Sequence, residues 1–145
     1  MATGLFRRQI PAVTHPAMHP PYGLASVSFR HRALASLAAR APIGPARDVA
    51  LAWFVCARLI DGAAGPEPLS DAARTARAAA ARTWLAGAGL SASVRLVFAK
   101  LIDACGTATP PDRARIAKGV SDALKVTGDQ LDAPSRAELE PFAKA

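Results

Sequence analysis

The sequence predicts an all-α protein: a compact bundle of four to five short helices, preceded by a basic, proline-rich N-terminal arm. Three observations predict it. Alanine, the strongest helix former, supplies 35 of the 145 residues, which favours short helices packed closely through small side chains. Caps and breakers recur at helix-length intervals from Gly44 onward. No stretch alternates apolar and polar residues with the period of two that marks a strand.

The helices follow in order along the chain. Pro45 suits a first turn and Asp48 sits near the positive end of the dipole, so one helix runs from there to Asp61 and stops at Gly62. Ser70 caps a second, which reaches Leu85 and is closed by Gly87. Ser91 or Ser93 opens a third that ends at Gly106. Thr109-Pro110-Pro111-Asp112 reads as a capping box for a fourth helix ending at Gly128, and Ser135-Arg136-Ala137-Glu138 as another for a short last helix.

A weak internal repeat suggests how these helices pair. Ala57-Arg58-Leu59-Ile60-Asp61 recurs as Ala99-Lys100-Leu101-Ile102-Asp103, and at the same offset Val55 matches Val97 and Pro68 matches Pro110. Each copy reads helix, loop with proline, helix, which gives two αα-hairpins in a four-helix arrangement. The helix after Gly44 is apolar almost all round and should be the most buried element. The third is nearly as apolar, through Val94, Leu96, Val97, Phe98, Leu101 and Ile102, and the two should face each other at the centre. Trp84 should anchor the alanine-rich second helix, and Ile116, Val120 and Leu124 the fourth.

Charge divides the chain in two. Residues 1–47 carry Arg7, Arg8, Arg30, Arg32, Arg40 and Arg47 and no acid, whereas 12 basic and 11 acidic residues follow. Residues 1–47 therefore hold six of the seven net positive charges, and the boundary is drawn as a basic, partly disordered arm over 1–44 and a helical domain over 45–145. Prolines rule out a helix in 11–22, while 24–40 reads as one short amphipathic basic helix with Val27, Leu34 and Leu37 near one side. Arginine-rich and acid-free, the arm also has the composition of an organelle transit peptide, so an organelle matrix stands as the alternative to a cytoplasmic location. The longest uninterrupted apolar run, 49–57, is about half of a membrane span. Two cysteines match neither a zinc spacing nor a disulfide framework.

Candidate chemistry is sparse. His15, His19 and His31 all lie in the arm, and a histidine–carboxylate site would need the arm to fold back onto the bundle. His15 and His19 have a metal-binding spacing only on a helix, which their prolines forbid. Asp61 and Asp103 fall near helix C-termini, where the dipole disfavours a negative charge. They could meet as paired carboxylates; alternatively each bonds its following loop, or pairs with Arg58 or Lys100. Cys56 reads as a small, inert core residue and Cys105 as a more exposed one, but at a helix C-terminus, the wrong end to lower a thiol pKa. Arg74, Arg77 and Arg82 fall within one sector of roughly 140° and, with Arg113, Arg115, Lys118 and Lys125, outline a basic surface. With no Asn and only Gln9 and Gln130, any nucleic-acid binding should be weakly sequence-selective.

These features favour a non-enzymatic protein-interaction or accessory subunit, with no cofactor, metal or catalytic set. Its partner-binding or phosphate-binding residues should be Arg7, Arg8, Arg30 and Arg32 in the arm and Arg74 and Arg77 on the bundle. The alternative is a sequence-tolerant nucleic-acid-binding protein using the same arginines, and a homo-oligomer stays open.

Overall fold

The computed structural model describes residues 31–65, 68–106 and 112–144. Six α-helices and no strand occur among them: α1 (Arg32–Arg40), α2 (Pro45–Ala64), α3 (Asp71–Ala86), α4 (Ala92–Gly106), α5 (Arg113–Thr127) and α6 (Ala133–Leu139). Short 3₁₀ turns follow α5 and α6, over Gly128–Gln130 and Glu140–Ala143. No helix among the described residues is long and apolar enough to cross a membrane.

Burial of α2 organises the rest. Fourteen of its twenty residues are buried, so it needs neighbours on every side, and α1, α3, α4 and α5 supply them. Its partner at the centre is α4. The Trp53 ring meets Phe98 edge-on, with centroids 5.2 Å apart and planes at 83°, a geometry worth about 0.5–1.5 kcal/mol beyond area burial. The indole N–H of Trp53 donates to Thr127 Oγ1 at 2.8 Å, and that hydroxyl donates to the Ala123 carbonyl at 2.8 Å. Both buried polar groups are thus satisfied.

Several boundaries move for identifiable reasons. The first long helix does not stop at Gly62; it continues to Ala64, closed by the Gly65 N–H donating to the Asp61 carbonyl, while the missing Cβ of Gly62 leaves room for Leu69, whose Cδ1 would lie 2.8 Å from an added methyl. Asp112 caps α5 by accepting from the Ala114 and Arg115 N–H groups, whereas Thr109, Pro110 and Pro111 lie outside the described residues. Asp132 caps α6 by accepting from the Ser135 N–H, so Ser135 sits inside the first turn rather than at the cap. On α3 the buried face is Ala78, Ala81 and Leu85, with Trp84 only partly buried against it. Leu96 was expected in the core, but its position on α4 turns it outward, 56% exposed.

The largest difference concerns the arm. The helix expected over 24–40 is described only from Arg32, and Leu34, Leu37 and Ala38 of α1 belong to the hydrophobic core. α1 therefore packs on the bundle, although it lies on the N-terminal side of the boundary expected at 44. Val27 and the other residues of 1–30 lie outside the described residues.

Candidate functional site

The most site-like place is built where α1 begins. Its N-terminus carries no side-chain cap of its own. Glu138, from α6, replaces one: its carboxylate accepts from Ala33 N–H at 2.7 Å and from Leu34 N–H at 3.2 Å. A negative charge at the positive end of the dipole makes this bond favourable. At the other end of α1, Arg40 pairs with Asp132, and Arg47 donates to the Ala39 carbonyl at 3.1 Å. Both ends of the short helix are tied down by residues distant in sequence.

That placement holds His31, the residue before α1, over the last turns of α2. The imidazole is fully buried. Its Nε2 lies 2.6 Å from Asp61 Oδ2, and since a carboxylate only accepts, Nε2 donates. The bond relieves a carboxylate placed at the unfavourable end of α2. Phe142 covers the imidazole with ring centroids 6.2 Å apart and tilted by 45°. A half-open cavity of about 140 Å³ lies alongside, lined by Asp61, Ile60, Ile116, Phe142, Arg113 and Lys144 among others.

A histidine held by an aspartate is two thirds of a nucleophile-activating triad. The third member is not in place: His31 Nδ1 has no hydrogen-bond partner among the described residues. Cys56 and Cys105 are each 1% exposed. Burial pushes the Cys56 thiol well up, with Cys105 adding to the effect. Burial likewise pushes Cys105 up to about 12, the nearby Arg74 pulling the other way. Cys105 is thus a core residue, not the more exposed thiol expected. No group of three or more potential metal ligands occurs among the described residues.

The paired-carboxylate arrangement does not form. Asp61 turns to His31, whereas Asp103 accepts from Arg82 Nε at 2.9 Å. The repeat places Leu59 with Leu101 and Ile60 with Ile102 alike in the core, but the two aspartates meet different neighbours, α1 on one side and α3 on the other.

The expected arginines separate as well. Arg7, Arg8 and Arg30 lie outside the described residues. Arg32 and Arg77 are exposed, on α1 and α3. Arg74 is not a surface residue. It is 3% exposed, with one guanidinium nitrogen donating to the Cys105 carbonyl at 3.0 Å and another to Asp71 at 2.5 Å. It therefore closes the negative end of α4, and no external anion can reach it. On α5, Arg115, Lys118 and Lys125 are exposed, opposite the buried Ile116, Val120 and Ala123. Lys118 donates to Asp122 at 2.9 Å, and this bond above all holds the Asp122 carboxyl below its usual value.

No family model, no curated protein and no solved structure matches this chain.

Proposed function

We propose that the chain is a non-enzymatic accessory subunit: a helical body that carries a basic N-terminal segment and docks through it on an acidic partner. One observation carries the reading. The three arginines of residues 1–30 have no carboxylate within their own stretch, while acids of the body are engaged internally, Asp61 by His31, Asp132 by Arg40, Asp71 by Arg74 and Asp103 by Arg82. A segment without local counter-charge, joined to a body in which these four acids are engaged, favours an external anionic surface.

Titration of the full chain against a fluorescent polyglutamate peptide at two salt concentrations tests this. Binding should weaken steeply with salt, and Arg7→Glu/Arg8→Glu/Arg30→Glu should weaken it at least about tenfold. Equal binding by that variant overturns the reading.

The exposed cations of α5 favour a second reading, docking on nucleic-acid phosphates without base selectivity. Arg115 and Lys118 line a depression with Lys100, Asp103 and Asp122, and Lys125 lines another with Arg136, Lys144 and Glu140, so cations outnumber carboxylates in both. Duplex binding that falls with salt by a log–log slope of roughly −0.9 per phosphate neutralised, and that Arg115→Glu/Lys125→Glu abolishes, would favour this reading over the first.

A further inference from the structure

The cavity beside His31 and Asp61 combines a small apolar space with an excess of positive charge. Ile60 and Ile116 contribute aliphatic walls and Phe142 an aromatic one. Its volume of about 140 Å³ is close to the roughly 150 Å³ that accommodates a benzene ring in an apolar protein cavity. Arg113 and Lys144, both exposed, line the same space. Neither is paired with a carboxylate among the described residues: the one hydrogen bond of the Arg113 side chain goes to the Ala64 carbonyl, at 3.3 Å. We propose that this cavity binds a small organic anion, a carboxylate whose apolar body enters the space while its charged group meets Arg113 and Lys144.

Two opposing effects have to be weighed. Asp61 also lines the cavity and would repel an anion, but its Oδ2 is bound to His31 at 2.6 Å. The cavity also adjoins the C-terminus of α2, whose exposed carbonyls disfavour negative charge. Arg113 already covers one of those carbonyls, that of Ala64, and a guanidinium has donors to spare for a second acceptor. Two cations then face one engaged carboxylate, and the balance favours an anion. Apolar walls set the ligand class, since an inorganic phosphate or a nucleic-acid backbone has no surface to bury against Ile116 and Phe142. A planar carboxylate suits the fork of Arg113. This site is formed by described residues and does not rest on the docking reading.

The test uses the full chain, followed by amide and side-chain NMR during titration with benzoate, benzyl alcohol and inorganic phosphate in turn. Benzoate should give saturable shifts at Ala64, Gly65, Arg113 and Phe142, with affinity at least about tenfold above that for the neutral alcohol or for phosphate. Arg113→Gln should weaken benzoate about tenfold, the scale of one charge-assisted hydrogen bond. Arg115→Gln, on the same helix but in a different depression, should leave it unchanged. Unaltered thermal unfolding of both variants confirms that the loss is local. Absence of saturable shifts, equal binding of phosphate or of the alcohol, or equal loss in the two variants would each overturn the proposal.

Discussion

His31 Nε2 sits 2.6 Å from Asp61 Oδ2, joining the residue before α1 to the last turns of α2 across a fully buried imidazole. Removing Asp61 leaves the buried imidazole without its one acceptor, and removing His31 takes from Asp61 its buried donor. His31→Ala and Asp61→Ala should each lower stability by about 2–4 kcal/mol. Urea unfolding of both singles and of the double variant would check this. A coupling energy indistinguishable from zero would mean that the two side chains do not act as a pair.

Glu138 should matter for one helix end in particular. Replacing it with Gln keeps an acceptor but removes the charge at the start of α1, at a cost of about 0.5–1 kcal/mol, whereas Ala should cost about 1–2 kcal/mol. The measurement is local: hydrogen exchange at the Ala33 and Leu34 amides should accelerate more in the Ala variant than in the Gln variant. Unchanged exchange there would mean that the carboxylate is not their acceptor in solution.

How much of this was legible in the sequence depended on how far each signal reached. Ser70 caps α3, accepting from the Ala73 N–H, and Asp48 lies in the first turn of α2; both act within a turn of themselves, so both could be read directly. Asp61 could be singled out because a carboxylate at a helix C-terminus is locally unfavourable. Its partner could not, since His31 reaches it only after α1 has packed on α2. Glu138 looked like the end of its own helix's capping box, and instead it serves a helix 105 residues away in the chain. Arg74 looked solvated for a related reason. A basic stripe on an alanine-rich helix normally faces water, and only the α3–α4 packing brings the Cys105 carbonyl within its reach.

That packing makes Gly106 a sensitive position. A methyl group added there would lie 2.2 Å from the Ala78 Cβ, so Gly106→Ala should force α3 and α4 apart and cost about 1–3 kcal/mol. Ala78→Gly in the same chain should recover part of the loss, less the roughly 1 kcal/mol that glycine costs within a helix. Thermal melts of the two singles and the double would show the coupling. Additive losses would mean that the helices do not approach so closely.

The two core thiols lower stability at alkaline pH. In the unfolded chain a thiol ionises around its usual value of 9.0, whereas burial holds Cys105 protonated up to about 12 and shifts Cys56 in the same direction. The unfolded state therefore binds fewer protons than the native one above pH 9.0, and stability falls as pH rises from there toward 12. Below 9.0 both states keep their protons and this contribution is complete. Denaturant midpoints measured across that window should decline more gently in Cys56→Ala/Cys105→Ala. Rapid labelling of either thiol in the folded protein at pH 8 would contradict their burial.

The grip on α1 also bears on the order in which the chain can mature during translation. Glu138 and Asp132 leave the ribosome roughly a hundred residues after the helix they secure, so α1 at first has only α2 and Arg47 to hold it. In a nascent chain stalled before Asp132 the first turn of α1, at Ala33 and Leu34, should fray, and release of the remaining residues should end that fraying.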